Sequence, residues 1–254
     1  MGFGQIEAFV HEGVNVAFER QAGAAPTFVW LGGFKSDMAG TKAQHLAEWA
    51  RARGQGFVRF DYSGHGQSGG AFTDGAIGAW AGDAIAVIDR LTSGPLVLVG
   101  SSMGGWISLL AARARPERIA GLLLIAPAAD FTERLMWASF PPEVRAEIMR
   151  IGRWARPSAY DPEPYVITRR LIEDGRRHLV MDSAIPFAGP VRILQGGRDP
   201  DVPVDHAQAV HACIDSPNKD FILIGDGDHR LSRPQDLDLL TATADELALL
   251  LGEA

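Results

Sequence analysis

Gly100-Ser101-Ser102-Met103-Gly104 follows the apolar run 96–99 and precedes a helix-like stretch at 106–115. A strand, a sharp turn and a helix with a serine at the apex form the local pattern of a nucleophile elbow. The glycines have a steric reason. The apical residue takes a strained backbone conformation that lifts its hydroxyl clear of the sheet. A Cβ two residues to either side would strike the neighbouring helix or strand. The register chooses between the two serines. Ser102 has Gly100 and Gly104 at minus two and plus two, whereas Ser101 has Val99 and Met103. Ser102 is the expected nucleophile. Five residues are a short pattern, and a Gly/Ser-rich turn without chemistry carries the same letters. The rest of the chain has to supply a base, an acid and donors for an oxyanion.

Outward from the elbow, short apolar runs alternate with helical segments. Strands are expected at 27–31, 56–61, 96–100, 119–126, 191–194 and 221–225, and helices at 41–53, 77–91, 103–114, 204–214 and 234–251. Weak alternation over 5–20, turning at His11-Glu12-Gly13, predicts an antiparallel hairpin. The whole reads as an α/β fold, a mainly parallel central sheet with helices on both faces. In such sheets function gathers beyond the carboxyl ends of the strands. The alternation breaks between residues 130 and 187, too long for a simple connection. We expect a helical cap there, inserted into a core of residues 1–129 and 188–254. The insertion holds nine arginines against nine acids and so is not a basic patch.

Composition narrows the classes. A chain of 254 residues with a net charge of −7 has no general attraction for nucleic acid or anionic membrane. No apolar run approaches the ~20 residues of a membrane-spanning helix, so stable membrane insertion is not expected. Cys213 is the single cysteine and reads as a small packing residue, which excludes an internal disulfide and suits a reducing compartment. Residues 1–10 lack a basic region followed by an apolar run, and Ile6 stands where a myristoylation motif wants Ser or Thr. The expected location is cytoplasmic. Composition does not address the oligomeric state.

A serine hydroxyl needs a base, and the base needs an acid to orient it. Of seven histidines, His229 lies directly after the last expected strand, in Gly225-Asp226-Gly227-Asp228-His229-Arg230, where a loop can reach back to the elbow. His206 and His211 are five apart on one helix, with no acid or cysteine to complete a metal set. They read as surface residues, as do His11, His45 and His178. The acid belongs after the preceding strand. Asp199 follows Gly196-Gly197 most closely; Asp201, or more remotely Asp130, is the alternative, and Asp201 or Asp205 also suits a helix cap near Pro203. Two backbone N–H groups have to face the oxyanion. We assign them to Met103, at the positive end of its helix, and to Phe34, in the Gly32-Gly33-Phe34 turn after the first core strand. The loop Asp61-Tyr62-Ser63-Gly64-His65-Gly66-Gln67-Ser68 reads as support for that turn, with Asp61 and Ser68 tying it to backbone. No Gly-Lys-Ser/Thr follows, so it is not a phosphate loop. Apolar residues Leu135, Met136, Trp137 and Phe140 either line a substrate pocket or pack the cap. No metal and no cofactor is called for.

These residues, in this order, resemble the α/β-hydrolase superfamily over nearly the whole chain. A narrower resemblance is carried by the segment 33–43, Gly-Phe-Lys-Ser-Asp-Met-Ala-Gly-Thr-Lys-Ala, with 59–64, Gly94-Pro95, 99–106 and Asp228-His229-Arg230. These segments look like those of the mitochondrial palmitoyl-protein thioesterase and acyl-glucuronide esterase family. Gly32 departs from the histidine or proline of that family, and no transit peptide is expected here. The resemblance implies hydrolysis of acyl thioesters, including S-acylated cysteine in proteins or peptides, and of carboxylic esters. It implies Ser102, Asp199 and His229 as the catalytic residues. An amide or peptide hydrolase with the same residues, and a ligand-binding member of the fold, are the alternatives.

Overall fold

The N-terminal hairpin forms as expected from β1 (Glu7–His11) and β2 (Val14–Gln21), closed by Glu12 and Gly13 at φ 45° and 81°. The computed structural model describes residues 5–156 and 164–252. The Met1-Gly2 start and the 157–163 part of the expected cap lie outside the described residues. After the hairpin the alternation runs β3 (Ala24–Leu31), α1 (Thr41–Arg53), β4 (Gln55–Phe60), α2 (Ile77–Leu91), β5 (Leu96–Ser101), α3 (Met103–Ala114) and β6 (Ile119–Ile125). The expected interruption follows. It holds a π-helical turn at Thr132–Trp137, α4 (Pro142–Ile151), β7 (Arg153–Arg156), β8 (Tyr165–Thr168), α5 (Arg169–Arg177) and β9 (Ile185–Pro186). The core resumes with β10 (Val191–Gly196), α6 (Val204–Cys213), β11 (Ile214–Asp215), β12 (Lys219–Ile224) and α7 (Pro234–Gly252).

Eight strands form one sheet in the order β1-β2-β4-β3-β5-β6-β10-β12. Pairing is antiparallel from β1 to β4 and parallel from β4 through β12. The inner strands are buried along their length because both faces are covered, and successive side chains serve opposite faces. Val29, Leu98, Leu122 and Ile193 pack on one face with α2, α3 and α6, while Trp30, Val97, Leu123 and Leu194 pack on the other with α1 and α7. All of these strand residues are 4% exposed or less. This rigid slab brings the β3, β5, β10 and β12 carboxyl ends to one edge.

The start of the interrupting segment is tied to a point near its end. Asp130, fully buried at φ 56°, accepts Val180 N–H through Oδ1 at 2.9 Å and Met181 N–H through Oδ2 at 3.0 Å. The segment also contains an antiparallel β7–β8 pair that apolar patterning does not announce.

Candidate active site

Ser102 stands between β5 and α3 at φ 55°, ψ −117°, a region an L-residue rarely occupies. Its backbone is fully engaged. Its N–H donates to Ile125 O at 2.9 Å, and its carbonyl accepts from Gly105 N at 2.9 Å and Ala128 N at 3.0 Å. The flanking glycines are sterically required. A Cβ on Gly100 would strike the Gly104 carbonyl and Ser108 Oγ, and one on Gly104 would strike the Leu31 carbonyl. Gly104→Ala must therefore push α3 away from β3. A destabilisation of about 3 kcal/mol is expected, read as a lowered urea midpoint at unchanged m.

His229 reaches back from the loop after β12. Its Nε2 lies 3.2 Å from Ser102 Oγ and its Nδ1 2.8 Å from Asp199 Oδ2. With Nδ1–H donating to the carboxylate, Nε2 presents a lone pair to the serine hydroxyl. Asp199 is itself held, since Oδ1 accepts the Asp201 and Val202 N–H groups at 2.8 Å each. Burial would raise the Asp199 pKa, but the His229 hydrogen bond and charge and the two backbone N–H groups leave the carboxyl below its ordinary value. The other candidate acids are placed elsewhere: Asp130 binds Val180 and Met181, and Asp205 accepts its neighbour's N–H in the first turn of α6 without serving as its N-cap. Asp201 borders the same cavity as Ser102, with its N–H on Asp199. Lys42 Nζ donates to Arg230 O, and Asp228 Oδ1 accepts Arg230 and Leu231 N–H, so the histidine loop is tied on both sides. Ligand atoms of Asp199, Asp201 and His229 cluster within 4.8 Å, a spacing open to a cation, yet both His229 nitrogens already meet Ser102 and Asp199.

Gly33 passes against the serine: a Cβ there would lie 3.4 Å from Ser102 Cβ. The next N–H, that of Phe34, has no acceptor among the described residues. Met103 N–H belongs to the first turn of α3, where a helix leaves its donors unused. The turn is anchored at several points. Gly33 O accepts from Ser36 N and Oγ at 3.2 and 2.8 Å, Met38 N–H donates to Asp61 Oδ1 at 2.7 Å, and Arg59 Nη1 donates to Met38 O at 3.0 Å. Ser68 Oγ donates to Asp61 O at 2.6 Å, so Asp61 and Ser68 tie the supporting loop as the sequence suggests.

Two histidines lie deeper than their polarity implies. His206, read from sequence as a surface residue, is buried with Nε2 2.9 Å from Ala129 O. His65 is 4% exposed, with Nε2 accepting Lys35 N–H at 3.2 Å and Nδ1 at 3.2 Å from Ser63 O. Burial lowers its pKa to about 4, against a partial rise from the Ser63 carbonyl. A histidine that is neutral when folded and protonates readily when unfolded withdraws stability as pH falls from 6.5 to about 4. The loss is expected to be about 3 kcal/mol across that window. Urea titrations at pH 7 and 4.5 should show it, and His65→Gln should flatten the difference.

A cavity of about 520 Å³ opens above Ser102 and His229. Its apolar wall includes Phe34, Phe131, Leu135, Met136, Tyr165 and Val202, and its polar groups include Ser139, Arg156 and Asp201. Leu135 and Met136 thus line the wall. Trp137 and Phe140 do not: Trp137 lies between the Arg145 and Arg176 guanidinium groups, and Phe140 packs edge-on against Trp154 at 5.2 Å. Tyr165 and Arg156 come from the antiparallel β7–β8 pair, whose strands are four residues each, too short for a periodic signal.

Fold and site together define an α/β hydrolase of the serine type. A family profile described as serine aminopeptidase, S33 matches residues 30–177. Mouse mitochondrial palmitoyl-protein thioesterase ABHD10 is 39% identical over 234 residues, 92% of this chain and 78% of its own. A solved structure of a putative hydrolase from Agrobacterium vitis S4 matches with a TM-score of 0.92 at 43% identity, over 96% of this chain and 98% of that one. Mouse alpha/beta hydrolase domain-containing protein 10 matches with a TM-score of 0.91 at 37% identity, over 98% and 100%. The chain belongs to the α/β-hydrolase family that these proteins represent. Among the described residues no helix is long and apolar enough to cross a membrane.

Proposed function

We propose that this hydrolase cleaves acyl thioesters and carboxylic esters through an acyl-enzyme on Ser102, with His229 as base and Asp199 as its orienting acid. The observation that carries this reading is the unbroken hydrogen-bonded chain from Ser102 Oγ through His229 to Asp199 at the floor of an apolar cavity. His229 Nε2 takes the hydroxyl proton as Oγ attacks the acyl carbonyl. The Phe34 and Met103 N–H groups hold the developing oxyanion. His229 returns the proton to the departing alcohol or thiol, then takes one from water as it attacks the acyl carbonyl. The second tetrahedral intermediate collapses to free acid and restored serine. A thiolate departs readily, so proton delivery matters less for thioesters than for alkyl esters.

The segment 130–187 is read as a cap that selects the acyl group, since Leu135, Met136 and Tyr165 wall the cavity from that side. Thioester cleavage is favoured by the likeness to relatives named palmitoyl-protein thioesterase. The aminopeptidase description of the family profile makes amide cleavage the second reading. The test is a panel of p-nitrophenyl esters, S-acyl peptides, acyl-CoAs and aminoacyl anilides, run with a fluorophosphonate probe. Labelling of wild type with turnover of esters and thioesters is expected. Turnover confined to anilides would favour the second reading, and no labelling with no turnover would sink both.

A further inference from the structure

His65 is a buried acceptor that the steps above do not use, and it sits one peptide away from the Phe34 donor. Three facts define its setting. Its Nε2 takes the Lys35 N–H at 3.2 Å, with its Nδ1 turned to Ser63 O. Ser63 is fixed in turn, its N–H and Oγ donating to Asp83 Oδ2 at 2.9 and 2.7 Å and its carbonyl accepting Trp80 Nε1 at 3.1 Å. The imidazole stands edge-on to Tyr62, Phe72 and Trp80, with ring centroids 5.1 to 5.6 Å away, so it cannot swing.

The consequence lies in the turn it grips. Lys35 has φ 57°, a left-handed conformation costly for a residue with a side chain. Two glycines precede Phe34 and impose little on the backbone. A trans peptide points its carbonyl and N–H in opposite directions. Ser36 N–H and Oγ–H both donate to the Gly33 carbonyl, and the Phe34 N–H of the same peptide, which Gly33 brings close to Ser102, points the opposite way from that carbonyl. The next peptide is held in turn through its N–H, which donates to His65 Nε2. An unanswered Lys35 N–H would face aromatic carbon and would be relieved by rotating the turn.

We infer that His65 is a positioning residue for the reaction: its Nε2 lone pair locks the Lys35 peptide and thereby keeps the Phe34 N–H aimed at the oxyanion. The inference rests on the hydrolase reading above. Its neutral state at working pH follows from its burial among rings.

The experiment compares His65→Phe, which keeps a ring but has no acceptor, with His65→Gln, whose Oε1 restores one. Removing an oxyanion donor outright costs about 10²–10³ in turnover, and a misaimed donor is expected to cost about 30-fold. For His65→Phe, kcat should fall by that factor with KM within about twofold, and affinity for an alkyl boronate should fall in step, because only the tetrahedral state uses the donor. His65→Gln should recover most of both. If His65→Phe does not fold, His65→Met replaces it as the acceptor-free variant. A kcat near wild type without the acceptor, a loss confined to KM, or equal impairment of the acceptor-free and Gln variants would overturn the inference while leaving the hydrolase reading intact. A wild type that neither labels with fluorophosphonate nor turns over any ester overturns both.

Discussion

Ser102→Ala is expected to lower turnover by about 10⁶-fold and to leave the protein folded, because it removes the proposed nucleophile without touching the backbone that frames it. The alanine keeps a Cβ at φ 55°, so the strain of the elbow stays and the urea midpoint should barely move. Ser102→Gly separates the two effects. It is equally inactive, yet glycine occupies this conformation without penalty, and a gain of about 1 kcal/mol in stability is expected. Chemical denaturation of the three proteins, alongside fluorophosphonate labelling, checks both halves. Activity retained in Ser102→Ala but lost in Ser101→Ala would shift the nucleophile by one residue.

Asp199→Asn should cost about 10⁴ in turnover. The side chain keeps its shape, but an amide nitrogen facing Nδ1 favours the tautomer with the proton on Nε2. That nitrogen can then no longer accept the Ser102 proton. The variant should also lose stability at neutral pH. The Asp199 carboxyl is held below its usual pKa, so it contributes stability above about pH 3.8 that disappears only as pH falls through the lower folded value. Asp201→Asn is the control, since the Asp201 backbone N–H on Asp199 Oδ1 survives the substitution. Kinetics on a p-nitrophenyl ester decide between them, and near-normal activity in Asp199→Asn would move the acid to Asp201.

The sheet was legible because its signals are local. Strands such as β5 and β6 are continuous apolar runs, and each is followed by glycines or turn residues that fix where it stops. The meeting of Ser102, Asp199 and His229 was legible for a related reason. Each follows a strand, and in a parallel sheet covered on both faces those ends converge whatever lies between. What failed to show in the sequence is long-range or unpatterned. His65 and His206 are buried with hydrogen bonds to Lys35 N–H and Ala129 O, from residues 30 and 77 positions away. A polar letter gives no sign of such a partner. Phe140 and Trp137 read equally as pocket lining and as cap packing, because both are apolar and near Leu135. The turn directs them instead toward Trp154 and the arginines.

The Asp130 clamp has a consequence for how such a chain can change over generations. Because one carboxylate grips Val180 and Met181, the ends of the intervening stretch stay fixed whatever their separation along the chain. Closing a longer or shorter loop costs little more, growing only with the logarithm of its length. The stretch is thus fixed at Asp130, and Gly78 N–H on Asp174 and Trp106 Nε1–H on His178 O add further ties to the core. Mutation can redraw the cavity wall while the eight-stranded slab and the serine it presents remain as they were.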